Sequence, residues 1–223
     1  MQTRAVEDFL KAIYDLRSSD RRVRTSALAD RLGRTAGSVT EMAKRLAEQR
    51  PRLVTHEMHQ GIDLTAEGER AALEVIRRHR LLETFLHQVL GFGWDEVHAE
   101  AERLEHCLSE RLTDAIDAYL NHPPVDPHGD PIPVPGARLH PEERTGLDAI
   151  PPGPTVQIAR VRRSEPEILR YLTEMGIAIG AKVRVAEQAP FGGPVSLRIG
   201  PLPTVRALSR DLARDILVEP AAF

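Results

Sequence analysis

Between Asn121 and Pro154 the chain reads NHPPVDPHGDPIPVPGARLHPEERTGLDAIPPGP, with 10 prolines in 34 residues. An interior proline removes a helical hydrogen bond and fixes its own φ, so this stretch is expected to be an extended linker or irregular arm. Folding therefore has to happen on either side of it. Before it, apolar residues recur at helical spacing; after it, they come in short runs bounded by turns. His122, His128 and His140, all inside the segment, are read as incidental.

Residues 4–17, RAVEDFLKAIYDLR, read as an amphipathic helix with Val6, Phe9, Leu10, Ile13 and Leu16 inward and Asp8 just off that face. A short helix, Ser26 to Leu32, follows, capped by Thr25 or Ser26 and broken by Gly33. A second runs from Ala36 to Gln49 with Val39, Met42, Ala43 and Leu46 inward. Small residues in its first turn (Ala36, Gly37, Ser38) suit a recognition helix, whose N-terminal end approaches bases closely. Leu53–His56 and Ile62–Thr65, joined by a polar segment ending in Gly61, form the hairpin of a winged helix-turn-helix. His56 and His59 near its tip are read as exposed loop residues. Thr65 then caps a long helix running to Leu90, on which His79 and Glu83, four residues apart, share a face.

The segment from Asp95 to Leu120 contains no Gly or Pro, and Val97, Ala101, Leu104, Leu108, Leu112 and Ala115 recur at helical spacing. One helix is expected there, with Asp95 as N-cap. His98, Glu102, Glu105 and His106 then fall in an arc of roughly 100° beside the apolar stripe. Two imidazoles and two carboxylates on the margin of a buried face are costly to desolvate unless paired, and a divalent cation would pair them. Two long helices with broad apolar faces also suggest a dimer interface.

After the linker, TVQIARV, AKVRVAEQ, VSLRIG and DILVEP read as short strands of a small β-barrel, with a helix from Glu165 to Met175 between the first two. The formal net charge of -3 does not advertise nucleic-acid binding. The one cysteine, Cys107, cannot form an internal disulfide and is read as packing. Nothing resembles a signal peptide or a membrane span, so a soluble cytoplasmic protein is expected.

With VEDFLKAIYDL, RRHRLLE and VHAEAERLEH in this order, the chain resembles the diphtheria-toxin-repressor family of metal-dependent transcriptional regulators over nearly its whole length. The resemblance implies a mainly α fold with small β. It has a winged helix-turn-helix (1–70), a helical metal-binding and dimerisation domain (71–122), a proline-rich linker (123–154) and an SH3-like domain (155–223). It implies a primary metal site of Asp8, Glu102, Glu105 and His106. It also implies an ancillary site of His79, Glu83 and His98, completed by Glu165 or, in reserve, Glu167. The iron-responsive branch resembles this chain except for Met and Cys where Asp8 and Glu102 stand. Two carboxylates make a harder site, which suits Mn²⁺ and the manganese-responsive branch. Fe²⁺ is the alternative, and Zn²⁺ or Co²⁺ would bind in vitro. Two departures stand out: Lys11 sits where the manganese branch often has a carboxylate, and Ile168 where the iron branch supplies a Gln.

The function so implied is repression of metal-uptake or homeostasis genes by a homodimer on palindromic operator DNA. DNA contact is assigned to Thr35, Gly37, Ser38, Thr40, Glu41 and Arg45, with Thr25 and Ser26 near phosphate. Without metal, Asp8, Glu102 and Glu105 are expected to repel one another and leave the first helix loosely placed. An enzyme is not expected, since di-iron bundles need Glu-x-x-His on two helices and neither dimerisation helix has it. A winged-helix regulator sensing an organic ligand, and an adaptor whose SH3-like domain takes proline-rich peptide, are the remaining alternatives.

Overall fold

The computed structural model describes residues 2–17, 22–57, 60–137, 139, 144–200 and 205–221; His59 and His140 lie outside these. The chain forms two compact units: Met1–His79 with Leu104–Leu108 and Pro133–Arg138, and Arg80–Arg103 with Ser109–Ile132 and Leu139–Phe223.

The first unit begins with α1 (Arg4–Leu16), which buries Val6, Phe9, Leu10 and Ile13 as its periodicity requires. Helices α2 (Thr25–Leu32) and α3 (Ala36–Glu48) follow, separated by Gly33, whose φ of 61° is the left-handed conformation that closes α2. Neither Thr25 nor Ser26 caps α2: its N-cap is Arg24, without a side-chain bond. Strands β1 (Val54–Glu57) and β2 (Gly61–Leu64) pair antiparallel from Val54↔Leu64 to Glu57↔Gly61, and Val23 bridges to Ile62. Leu28, Val39, Leu46, Val54 and Ile62 complete one apolar core with α1. Helix α4 (Ala66–Gln88) starts with Thr65 Oγ1 accepting from the Gly68 N–H at 3.1 Å.

The expected single helix over Asp95–Leu120 is broken. It consists of α5 (Val97–Leu104), a 3₁₀ turn (Glu105–Cys107), an extended Leu108 and α6 (Glu110–Tyr119). Ser109 starts α6 by accepting from the Leu112 N–H at 3.2 Å, and a local N-cap of this kind competes with continuing the preceding helix. The break shifts the helical phase. Leu104, Leu112 and Ala115 are exposed while Thr113 and Ile116 are buried, and Cys107 is exposed instead of packed. Asp95 does not cap α5; its carboxylate lies 3.4 Å from Arg170.

The described residues of the proline-rich stretch are more ordered than an arm. Val125 and Pro131 bridge antiparallel, and β3 (Thr145–Gly146) and a 3₁₀ turn (Leu147–Ala149) lie inside the expected linker. Then come β4 (Thr155–Val161), α7 (Pro166–Glu174), β5 (Lys182–Gln188), β6 (Val195–Ile199), β7 (Val205–Leu208), α8 (Arg210–Asp215) and β8 (Ile216–Pro220). The six strands run β3-β8-β4-β5-β6-β7, all neighbours antiparallel. Among the described residues β3 and β7 do not pair, so the sheet is SH3-like but does not close into the expected barrel. Its inner face and α7 bury Val156, Ile158, Leu169, Leu172, Val183 and Leu197.

Candidate metal centre

In the first unit, three of the anticipated ligands meet. Asp8 comes from α1, and Glu105 and His106 from the 3₁₀ turn, with one donor atom each within 4.8 Å of the others. His106 Nε2 lies 2.8 Å from Asp8 Oδ1 and 3.3 Å from Glu105 Oε1. Yet Nε2 is buried and makes no hydrogen bond: the two oxygens are near it without lying in N–H geometry. The other ring nitrogen explains this. Nδ1 is 2.6 Å from Glu7 Oε2, and Arg78 donates to Glu7 Oε1 at 2.8 Å. A ring that donates from Nδ1 to a carboxylate turns an Nε2 lone pair outward, as metal-ligating histidines do. A buried imidazole nitrogen without a hydrogen bond and two converging carboxylate oxygens fit a divalent cation.

The surrounding charges differ from the expected repulsion. Glu105 is fully buried, with Lys11 Nζ at 3.1 and 2.9 Å from its two oxygens and His79 Nδ1 at 2.5 Å from Oε2. Arg4 lies 3.9 Å from Asp8. Each acid of this unit's centre already faces a cationic or imidazole group. Glu7, which contacts the His106 ring, and Arg78, which donates to Glu7, are not among the residues the sequence singled out. The only available signal was that Glu7 and Lys11, four apart, share a face of α1.

Of the remaining expected ligands, His79 belongs to the first unit, whereas Glu102, Glu83 and His98 belong to the second. There His98 Nδ1 is 3.0 Å from Glu83 Oε1, and His98 Nε2 is 3.9 Å from Glu102 Oε1. The groups completing Glu83 are not Glu165 or Glu167. Glu165 is held by Arg163 at 2.8 Å, which lowers its pKa, and Glu167 lies 3.4 Å from Arg170. Instead Asp126 and His128 join Glu83 in a fully buried group. His128 is thus not incidental. Its Nε2 donates to the Trp94 carbonyl at 2.7 Å, leaving Nδ1 3.8 Å from Glu83 Oε2. His122 is exposed beside Asp117, as read.

The second group is built on a tight turn. Asp126 Oδ1 accepts from the N–H groups of His128 at 2.8 Å and Asp130 at 2.9 Å, and Val161 N–H donates to the His128 carbonyl at 2.9 Å. Burial, then the charges of Glu83 and Asp130, push the Asp126 carboxyl up to about 7. For His128, burial acts downward, but Glu83, Asp126 and the Trp94 carbonyl outweigh it and raise it to about 9. The signs agree in the metal-free protein. Asp126 loses stability as pH rises from its ordinary 3.8 through about 7. The contribution of His128 is present below about 6.5 and lost through about 9. Chelator-treated Asp126→Asn keeps an Oδ1 acceptor without the charge. It is therefore expected to gain stability over the wild type, and to gain clearly more at pH 8 than at pH 4. Urea unfolding at the two pH values checks this, and an equal difference at both would refute it.

The α2–α3 surface is the candidate DNA face. Ser26, Thr35, Gly37, Ser38, Glu41 and Arg45 are exposed, and Thr25 and Thr40 half-buried. Two hydroxyls also serve the helix itself: Thr35 Oγ1 caps α3 by accepting from Ser38 N–H at 3.2 Å, and Thr40 donates to the Ala36 carbonyl at 2.9 Å. The whole-chain charge hides a local bias. Residues 1–62 carry 12 Lys and Arg against 8 Asp and Glu, residues 65–134 only 6 against 14.

Three family models match in register with these elements. An iron-dependent repressor N-terminal DNA-binding domain covers residues 1–62, an iron-dependent repressor metal-binding and dimerisation domain covers 65–134, and a FeoA domain covers 145–220. The iron-dependent repressor IdeR of Mycobacterium leprae is 30% identical over 201 residues, spanning 85% of this chain and 86% of that one. The chain belongs to the iron-dependent repressor family, which includes the diphtheria toxin repressors. Among solved members, a manganese-dependent transcriptional repressor in complex with manganese is 40% identical, with a TM-score of 0.85, over 97% of this chain and 100% of that one. The manganese regulator SloR is 31% identical with a TM-score of 0.75, over 97% and 98%. Family membership places the acidic 65–134 segment in the metal-binding and dimerisation domain and the basic 1–62 segment in the DNA-binding domain. No helix of the described residues is long and apolar enough to cross a membrane.

Proposed function

We propose that this chain is a cytoplasmic, metal-dependent transcriptional repressor, not an enzyme. It binds palindromic operator DNA as a homodimer and controls genes of metal uptake or homeostasis, with Mn²⁺ as its cation. The observation that carries the reading is the convergence of Asp8 Oδ1, Glu105 Oε1 and the hydrogen-bond-free His106 Nε2. Two carboxylates and one imidazole make an oxygen-rich donor set, which suits Mn²⁺ better than a thiolate-bearing site would. The 40% identical manganese-dependent repressor, solved with manganese, supports the same choice. The iron-dependent relatives keep Fe²⁺ as the second reading. The resemblance adds Glu102 to this ligand set, and Zn²⁺ or Co²⁺ would enter it in vitro.

Bound there, a divalent cation supplies the positive charge that Asp8 and Glu105 share. Asp8 anchors α1, and through it the winged-helix core, while Glu105 and His106 anchor the 3₁₀ turn. Glu7 and Arg78 hold the imidazole in orientation. Fixing α1 to the turn biases the pose in which α3 is presented, so metal and DNA binding are thermodynamically linked. Contact residues would be Gly37, Ser38, Glu41 and Arg45 on α3, with Thr35 and Thr40 beside them and Thr25 and Ser26 near phosphate. The exposed Leu90, Leu112 and Tyr119 supply apolar surface for a partner copy. Glu83, Asp126 and His128, with His98 beside them, are a second position for a cation.

The test is retention of operator DNA with Mn²⁺, anaerobic Fe²⁺, Zn²⁺ and no metal. A 10- to 100-fold tighter grip with Mn²⁺ is expected, a coupling of about 1.4–2.7 kcal/mol. Equal retention by chelator-stripped and Mn²⁺-loaded protein would sink the reading.

A further inference from the structure

Lys11 and Glu105 form a buried ion pair in the first unit's centre: Glu105 is 0% and Lys11 9% exposed. Lys11 lies one turn after Asp8 on α1, which puts its ammonium on the Asp8 side of the helix. Its Nζ lies 3.1 Å from Glu105 Oε1, 2.9 Å from Glu105 Oε2 and 3.2 Å from His79 Nδ1. A buried carboxylate without such a partner would be costly. The ammonium offsets that cost and holds Glu105 in place. It also occupies the same atom a metal needs, because Glu105 Oε1 is the oxygen facing His106 Nε2 at 3.3 Å.

We propose that Lys11 is a tethered counter-cation of this centre. It holds Glu105 ready while no metal is bound, and it must yield Glu105 Oε1 for a metal to enter. Lys11 thereby sets the concentration at which the centre fills. The inference rests on the metal-sensing reading above, and it gives that reading a threshold. A site made only of acids and imidazoles would bind divalent cations more tightly but would be a poor preformed site when empty. An exchangeable internal cation weakens affinity and preserves geometry. It also leaves Glu105 with no second free oxygen, so this carboxylate serves one metal and does not bridge two.

The experiment uses full-length Lys11→Met and Lys11→Gln, titrated with Mn²⁺ while the electron paramagnetic resonance of free aqueous Mn²⁺ is followed. Thermal unfolding is recorded in parallel on chelator-treated and Mn²⁺-loaded samples. A unit charge in a partly buried site changes the affinity for a nearby cation by about tenfold or more. Both variants are expected to bind Mn²⁺ at least about tenfold more tightly than the wild type. They should also melt lower than the wild type without metal and show a larger rise in Tm on loading. Unchanged or weaker Mn²⁺ uptake in both variants, with the wild type binding normally, overturns the proposal alone. So do variants that fold neither with nor without Mn²⁺, since metal should replace the lost charge. A wild type with no saturable Mn²⁺ uptake sensitive to His106→Ala overturns the sensing reading, and the proposal with it.

Discussion

His106→Ala is expected to weaken Mn²⁺ binding by about 100-fold or more and to abolish the metal response on operator DNA. The ring's buried Nε2 has no hydrogen bond among the described residues, and the ring is oriented by two further residues, Glu7 and Arg78. Removing it deletes a ligand. It also leaves the buried Glu7 carboxylate with Arg78 as its remaining hydrogen-bond partner. Substituting residues that only orient a ligand already costs 10–100-fold in many metal sites, so losing the ligand sets a larger effect. The fold should survive, because the core beneath is built from Phe9, Leu10 and Ile13, none of which needs the ring. Calorimetric titration with Mn²⁺, with gel filtration to confirm an unchanged oligomer, checks both halves. Wild-type affinity in the variant would remove His106 from the centre.

Gly129→Ala is the second large effect, on stability. Gly129 has φ 84°, which L side chains rarely adopt, and a Cβ there would come 2.0 Å from the Ala159 carbonyl oxygen and 2.7 Å from Arg160 Cα. Backbone contacts of this kind cannot rotate away, so the turn must lift off β4. It would take with it Asp126, His128 and the Val161–His128 hydrogen bond. The left-handed strain alone costs about 1–3 kcal/mol, and the clash adds to it. A loss of about 3 kcal/mol or more is expected in denaturant unfolding, with the variant's stability losing much of its sensitivity to Asp126→Asn. A neutral result would show that the turn does not rest on β4.

These two residues mark where the sequence was legible and where it was not. Helical spacing put Glu105 and His106 on one arc, whereas Asp8, 97 residues away from Glu105 in the chain, joined them only through the family resemblance. Helices α1, α3 and α4 follow from apolar periodicity, with Gly37 and Gly68 confined to the first turns of α3 and α4, and β4, β5, β6 and β8 from short apolar runs. His128 escaped because its role depends on burial against β4, which the surrounding prolines disguised as linker. Glu165, which the resemblance offered as the ancillary carboxylate, is paired with Arg163 two residues away, a local contact that a resemblance does not register. The single helix expected over Asp95–Leu120 failed on Ser109, where a cap competed with continuation and turned Leu112 and Ala115 outward. Strand β7 has four residues, three of them exposed, so it offered no alternation to read.

The rim of the second unit's sheet is made of its shortest strands, β3 with two residues and β7 with four. Open sheets invite foreign strands to dock along their unpaired amides, and the invitation scales with rim length. Borders this brief give an intruding chain almost nothing to zip against. Crowded copies of this protein are thereby steered away from fibrous stacking, and any lasting embrace between them has to be made side chain to side chain.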